Sequence, residues 1–371
     1  MKGNHAILLR AGIACALFLG QAACAQRLPL ERIKLPPGFE ISVFADNVPN
    51  ARSLALGANQ VVFVGTRASS VYAVRYRDAK TTQVITLASD LRMPNGVAVK
   101  DGALYVAEVN RILRFDHIET QLDARPKPAV VTDRYPRETH HGWKFIRFGP
   151  DGWLYVPVGA PCNICEPDPQ RYALISRIRP DGSAYEVFAS GIRNSVGFDW
   201  DPRTKQLWFT DNGRDWAGED GPQDELNRVS KVGLNFGFPY CHAQGIVDPE
   251  IKKPNACDGV TMPVTLMGPH AAVLGMRFYS GSMFPDEYRN SILVARHGSW
   301  NRTQKTGYDV VRVTATPDGK NVLVTPFMTG FLDQAGNTFW GRPTDVMLMP
   351  DGSVLVSDEQ MGAIYRVTYA K

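Results

Sequence analysis

The sequence predicts an all-β chain folded as a six-bladed β-propeller, and three observations predict it. First, short runs rich in Val, Leu, Tyr and Phe alternate with Gly, Pro, Asp and Asn turns, and no long apolar stretch of helical period competes. Second, one pattern recurs six times: a polar turn, a four-residue apolar strand and a polar loop. The copies are NQVVFVGT (59–66), DGALYVAE (101–108), DGWLYVPVG (151–159), KQLWFTDNG (205–213), NSILVARHG (290–298) and DGSVLVSDE (351–359). Third, their apolar starts near 61, 104, 154, 207, 292 and 354 leave intervals of 43, 50, 53, 85 and 62 residues. About 40–50 residues is the length of a four-stranded blade. Such a unit buries its faces only against its neighbours, so the units must close into a ring. A β-sandwich or a two-domain chain is the alternative, but no linker-like shift in composition supports a split.

Taken in order, residues 1–25 read as a secretory signal. Lys2, His5 and Arg10 precede a short apolar run from Ala11 to Gly20, and Ala23-Cys24-Ala25 fits a small-x-small cleavage site before Gln26. Lipid anchoring at Cys24 is the weaker reading, because Gln21 stands where an aliphatic residue is wanted. The apolar run is too short to span a membrane comfortably, and no later stretch of about 20 apolar residues exists. Residues 26–371 are therefore expected to form one propeller domain, periplasmic or secreted, with no stable membrane insertion. Hydrophobic content of 44% and charged content of 21% imply a folded core. No Lys/Arg run is long enough to suggest a nucleic-acid partner.

Ring closure can use FEISVFAD (39–46) as the outer strand of the last blade, beside AIYRVTY (363–369). The long interval between 213 and 290 implies inserted loops. Four cysteines remain after the leader, at 162, 165, 241 and 257. An even number in an oxidising compartment suggests disulfides. The most economical pairing is Cys162–Cys165 with Cys241–Cys257, although four cysteines allow three connectivities. Cys162-Asn-Ile-Cys165 is followed by Glu166 and not His, which excludes c-type haem attachment; redox or metal roles stay open.

In a propeller, the loops at one end of the central channel come from every blade. Those following the recurrent strands, taken as the inner strands, carry Arg67, Glu108, the Gly159–Glu166 loop, Asp211–Arg214, His297–Arg302 and Asp358–Glu359. His141, Arg193 and Arg342 stand in loops that precede strands, and the order of strands within a blade is left open. His141 opens HGWKFIRFGPDG and, as a neutral imidazole, suits proton abstraction; a buried structural histidine is the plain alternative. Arg193-Asn194 sets a fixed cation beside an amide, which suits an anionic, carbonyl-bearing ligand. The stretch 211–227 is dense in carboxylates, so calcium and a solvated acidic loop are both open readings. His297, Trp300, Arg302 and Arg342 add cations and an aromatic, a set suited to a flat polyanion. Phosphate-cradling loops, a dinucleotide fingerprint, a zinc-type His pair and a nucleophile elbow are absent from the sequence.

With these residues in hand the chain resembles the soluble glucose/sorbosone dehydrogenases, secreted six-bladed propellers that use pyrroloquinoline quinone (PQQ) and calcium. The resemblance is carried by HGWKFIRFGPDGWLYVPVG, SGIRNSVGFDWDP, LWFTDNG with DELN downstream, ILVARHGSWNRT and GRPTDVMLMPDGSVLVSDE, in the family's order, and looks closest to the sorbosone branch. It implies His141 as general base on a sugar hydroxyl or hydrated aldehyde, with hydride passing to the quinone. It implies Arg193, Asn194, Arg342 and Arg296 or His297 at the cofactor, and Arg52 where glucose-type members carry Gln. Calcium would lie on backbone carbonyls at Gly213 and Arg214, beside Asp211. The glucose-type Asp after the third recurrent strand is replaced by Ala160 and the cysteine loop, which puts the sugar in doubt. An external electron acceptor is implied as well. A calcium-dependent lactonase and a non-catalytic binding module are the rival readings.

Overall fold

The computed structural model describes residues 28–78 and 81–370, so the leader expected over 1–25 lies outside it. Six antiparallel sheets follow one another along the chain. Blade one comprises Ala51–Leu56, Val61–Thr66, Val71–Tyr76 and Thr82–Ala88; blade two Gly96–Lys100, Ala103–Ala107, Ile112–Phe115 and Ala129–Thr132. Blade three comprises Arg147–Phe148, Leu154–Val158, Leu174–Ile178 and Tyr185–Ser190; blade four Gly197–Trp200, Leu207–Asp211, Gln223–Val229 and Thr265–Pro269. Blade five holds Val273–Phe278, Ile292–Arg296, Asp309–Thr314 and Leu323–Met328, and blade six Pro343–Leu348, Val354–Asp358 and Ala363–Tyr369. The expected six-bladed propeller is the fold observed.

Blade six takes its outer strand from the start of the described chain. Phe39–Ala45 pairs antiparallel with Ala363–Tyr369, Ile41 opposite Val367 and Val43 opposite Tyr365. The inserted segment expected after 213 is also present. Leu234–Asn235 adds a parallel fifth strand to blade three, and Cys241–His242 pairs with Ile246–Val247 in a small hairpin. Disulfides join Cys162 to Cys165 and Cys241 to Cys257, the economical pairing.

One expectation is corrected. The six recurrent strands lie second in each sheet, next to the innermost strand. The physical reason is burial. Val61–Thr66, Ala103–Ala107, Leu154–Val158, Leu207–Asp211 and Val354–Asp358 are buried at every residue, because neighbouring blades cover both faces. Full burial demands continuous apolar sequence, which is the signal that recurs. Several innermost strands interrupt their apolar residues with buried polar ones, Arg52 and Ser53 in Ala51–Leu56 and Thr344 and Asp345 in Pro343–Leu348, and outer strands are only partly buried, as in Thr82–Ala88.

Between blades the apolar faces interlock. Phe44, Val62, Val64, Met347, Leu355 and Ile364 fill the seam between blades six and one. Each such side chain, fully buried, contributes roughly 1.5–3 kcal/mol. Polar side chains tie the innermost strands across blade boundaries. Asp345 Oδ2 accepts the Leu54 N–H at 2.9 Å, Asp199 Oδ2 accepts that of Phe278 at 2.9 Å, and Asn95 Nδ2 donates to the Lys144 carbonyl at 2.9 Å. Innermost strands have no sheet partner on the channel side, so their backbone groups need such bonds. The first hairpin of blade two shows how tight the turns are. Asp101 and Gly102 have φ of 51° and 75°, the left-handed pair that a two-residue type I′ turn requires.

Antiparallel pairing settles which loops meet. The start of an innermost strand and the end of its neighbour lie at the same end of the channel. Both groups of loops singled out in the sequence therefore share one mouth.

Candidate active site

Blades six and one meet at a cluster of cations. Arg52, 2% exposed, donates from Nε to Asn95 Oδ1 at 2.7 Å and from one terminal nitrogen to Glu359 Oε2 at 2.6 Å. Arg342 donates to the carbonyls of His297 and Gly298 at 3.1 and 2.7 Å and stands over the rings of Tyr308 and Phe339. The Arg67 guanidinium lies 4.5 Å from the centre of the Trp143 ring. Burial lowers the pKa of both Arg52 and Arg342, and neighbouring guanidinium groups add to the effect. Burial alone would raise the Glu359 carboxyl, but the Arg52 guanidinium outweighs it and holds it well below the usual carboxylate range. His297 Nε2 lies 3.0 Å from Glu359 Oε2 without the alignment of a hydrogen bond. Burial depresses His297 to about 4, so it is neutral near pH 7. Three guanidinium groups around one carboxylate leave a local excess of positive charge, which suits an anion with several carboxylates.

His141 sits on the loop before blade three. Its backbone is left-handed, φ 48°, an uncommon state for a residue with a side chain. The turn is held by a Gly142 N–H to Thr139 carbonyl bond at 3.0 Å, and from inside by Lys144 Nζ on the Gly142 carbonyl at 3.0 Å. Gly159 leaves the necessary room: a Cβ there would come within 2.5 Å of the His141 Cβ. His141 Nδ1 lies 2.9 Å from the Ala160 carbonyl. A carbonyl only accepts, so Nδ1 carries the proton and Nε2 keeps its lone pair. Burial, then Arg193 and His140, lowers its pKa well below the ordinary histidine value. The imidazole is thus a neutral proton acceptor, as the sequence reading requires.

Arg193 and Asn194 face the same mouth from blade four. The Arg193 guanidinium donates to the Asn163 carbonyl at 2.9 Å and Oδ1 at 2.8 Å, to the Asn212 carbonyl at 3.1 Å and to Asp215 Oδ2 at 3.1 Å. Asn163 also bonds both ways with the backbone of Asp215, at 2.8 and 3.0 Å. The Cys162–Cys165 loop therefore clamps Arg193 to the segment after Asp211. The Asn194 side-chain amide has no hydrogen-bond partner among the described residues and lies beside Gly159.

The donors implied for calcium are the carbonyls of Gly213 and Arg214. The Gly213 N–H is held by Asp224 Oδ1 at 2.9 Å, and neither carbonyl accepts a hydrogen bond among the described residues. Calcium takes six to eight oxygens. Among the described residues no group of three or more His, Cys, Asp or Glu side chains is arranged to hold a metal. Two free carbonyls fit calcium only if a bound ligand supplies further oxygens, which a polycarboxylate quinone would do. Around the mouth, Trp143 Nε1 by Arg67, His297 Nε2 by Glu359 and Asn301 Oδ1 by Asp215 are buried polar atoms without hydrogen-bond partners among the described residues. The residues present fit both groups.

Several candidate residues are placed elsewhere. Both Asp211 oxygens accept backbone N–H groups, of Asn194 at 2.6 Å and Arg193 at 2.9 Å, so its carboxylate builds the Arg-Asn loop. Burial raises that carboxyl to about 7. Arg296 is committed to a two-pronged pair with Asp309 and the Met267 carbonyl, leaving His297 as the fifth-blade residue at the mouth. The Arg214 side chain pairs with Asp248 and Glu250 inside the inserted segment, so only its backbone remains a donor. Glu108 holds Arg111 and the Arg92 N–H within blade two. Trp300 is 64% exposed on the rim, and Arg302 bonds Glu219 and Asp220. Asn95, Lys144 and Asn163 were missed. The spacing Cys162-Asn-Ile-Cys165 was the one signal that could have drawn attention to Asn163.

Fold and site together define a six-bladed propeller with an arginine-lined mouth and a loop histidine at its edge. The family model described as TrAA12-like matches residues 33–370, and the chain belongs to that family. An uncharacterized protein of Borreliella burgdorferi is 30% identical over 354 residues, covering 91% of this chain and 91% of that protein. Among solved structures, the calcium structure of Trichoderma reesei Carbohydrate-Active Enzymes Family AA12 superposes with a TM-score of 0.78 at 16% identity, covering 94% and 99% of the two chains. The holo form of the pyranose dehydrogenase PQQ domain from Coprinopsis cinerea gives 0.73 at 17% identity, covering 91% and 97%. At these identities the two structures bear on the fold alone.

Proposed function

We propose that this protein oxidises a sugar or sugar aldehyde, with PQQ and calcium at the channel mouth and His141 as general base. The observation that carries the reading is His141 itself, neutral, with Nδ1 fixed on the Ala160 carbonyl and Nε2 left to accept a proton. The fold is one that a pyranose dehydrogenase PQQ domain and a carbohydrate-active enzyme also have, and it accommodates this chemistry. When bound, PQQ supplies the two-electron oxidant that takes hydride from the substrate carbon, and calcium supplies a Lewis acid beside it.

The chain's own residues do the rest. Arg52, Arg67 and Arg342 would bind the cofactor's carboxylates. Gly213 and Arg214 would offer carbonyl oxygens to calcium. Arg193 and Asn194 would hold the reacting end, and Arg193, locked by Asn163, faces developing charge without having to reorganise. His141 takes the hydroxyl proton at Nε2. An external acceptor then removes the electrons. The two disulfides suit an oxidising compartment, which supports the periplasmic or secreted reading. Among the described residues no helix is long and apolar enough to cross a membrane.

The lactonase alternative asks for carboxylates around a central calcium, and the described residues offer no such group. The deciding experiment titrates PQQ into the purified protein with calcium or with a chelator. Cofactor absorbance, melting temperature and dye-linked oxidation of aldoses and sugar aldehydes are recorded. Calcium-dependent spectral change, stabilisation and turnover are expected. If neither spectrum nor melting temperature responds, the cofactor assignment is wrong; if PQQ binds and no sugar is oxidised, the channel is a binding module.

A further inference from the structure

Large aromatic side chains are normally buried on at least one side, and exposed clusters mark binding surfaces. Trp216 is 67% exposed and Trp300 64% exposed, yet they touch, with ring centres 5.3 Å apart and planes 84° to each other. They meet although 84 residues separate Thr303 from Glu219 on the same two loops, and bonds between those loops fix the arrangement. The Thr303 hydroxyl donates to the Glu219 carboxylate at 2.8 Å, Arg302 donates to the Glu219 carbonyl at 2.9 Å and pairs with Asp220, and Asn301 Nδ2 donates to Asp215 Oδ1 at 2.7 Å. The pair is thus held ready while facing water, which keeps the entropy cost of binding low.

We propose that Trp216 and Trp300 form a saccharide subsite on the rim, which stacks the sugar unit adjoining the one oxidised, so that the substrate is the reducing end of an oligosaccharide. This rests on the sugar-oxidation reading and specifies its substrate. Position and chemistry support it. Asp215 precedes Trp216 and Asn301 follows Trp300, and the second Asp215 oxygen accepts Arg193, so the corner adjoins the reaction site directly. Arg193 is buried while the indoles stand clear of the surface, which places a ring on the corner outside the reacting position. Perpendicular, solvent-exposed indoles offer aromatic faces suited to the C–H face of a pyranose. A flat protein partner would meet a flatter patch.

The test measures binding of glucose, maltotriose and cellotriose to the protein without cofactor, by tryptophan fluorescence and calorimetry. The loaded protein is then assayed for oxidation of each. At least one trisaccharide is expected to bind about tenfold tighter than glucose, a margin in keeping with aromatic stacking. Trp216→Ala and Trp300→Ala should each remove most of that margin and lower the trisaccharide-to-glucose ratio of kcat/KM by a similar factor, whereas Trp300→Tyr keeps part of it. Melting curves check that each variant is folded. Equal affinity for glucose and both trisaccharides, or a margin that survives both alanine variants, overturns the proposal. So does self-association through the pair with no saccharide effect. Glucose oxidation without any trisaccharide preference sinks the subsite and leaves the enzyme reading standing; tryptophan-dependent trisaccharide binding without oxidation does the reverse.

Discussion

As the proposed base, His141 would work only in its neutral form, and its surroundings keep it neutral. Burial and Arg193 lower its pKa below the ordinary histidine value of about 6.5. The base should therefore stay active as pH falls through 6.5, and the acidic limb of the kcat profile should lie below that point. Rapid-mixing or steady-state assays from pH 4 to 8 check this, and a limb at or above 6.5 would assign the base to another group. His141→Ala should keep the cofactor spectrum and lose about 100- to 10,000-fold in kcat, the usual share of a general base. Gly159→Ala is a subtler probe. Its new Cβ would collide with that of His141 at 2.5 Å, so turnover should fall more than tenfold. A loss of melting temperature alone, with kcat intact, would count against that. HGWK singled out His141 as a candidate base beside the plain alternative of a structural histidine, and the family resemblance alone gave it the role. Its left-handed backbone, and the lysine beneath it, were not legible: both depend on residues that come together only in the folded ring.

At the scale of elements, the Cys162–Cys165 loop has one clear task. It presents Asn163, which holds Arg193 by two bonds and the backbone of Asp215 by two more. Asn163→Ala keeps the main-chain bond to Arg193 and deletes the side-chain ones. Leaving buried donors without partners costs about 1–3 kcal/mol, so denaturant unfolding should show a loss of that order. Calcium-dependent stabilisation of the loaded protein should weaken as well, since the clamped segment includes Gly213 and Arg214; an unchanged chelator response would refute the coupling. The sequence pattern revealed which strands are fully buried, and it did so because burial on both faces writes an unbroken apolar run. It hid the innermost strands, whose polar residues such as Asp345 and Asp199 serve neighbouring blades. It also could not tell a carboxylate that builds a loop, Asp211, from one that binds an ion, since both are acidic residues after a strand.

For the whole molecule, the ring is stitched by buried side chains that bond across blade boundaries, and the carboxyl of Asp345 is the one whose protonation bears on stability. Burial raises Asp345 to about 7, against about 4 in an unfolded chain. A group whose folded pKa is raised in this way favours the folded state at low pH, and that advantage is lost as pH rises from about 4 to about 7. Asp345→Asn should flatten this part of the stability curve, measured by chemical denaturation at fixed temperature. A wild-type curve that rises across the window as steeply as the variant's would contradict the assignment. Removal of residues 28–45 should be more severe, because it strips blade six of its outer strand and exposes the edge at Ala363–Tyr369. The truncated chain should lose cooperative unfolding.

The seam has a temporal side. The strand Phe39–Ala45 emerges early in synthesis and its partner Ala363–Tyr369 emerges last, so blade six is finished only when nearly the whole chain is present. The Arg52–Glu359 bond spans the same seam, joining the first blade to the sixth. Anion binding would then act as a checkpoint: a chain stalled in translation holds the two halves of the cradle apart, and the cradle exists only once the circle is complete.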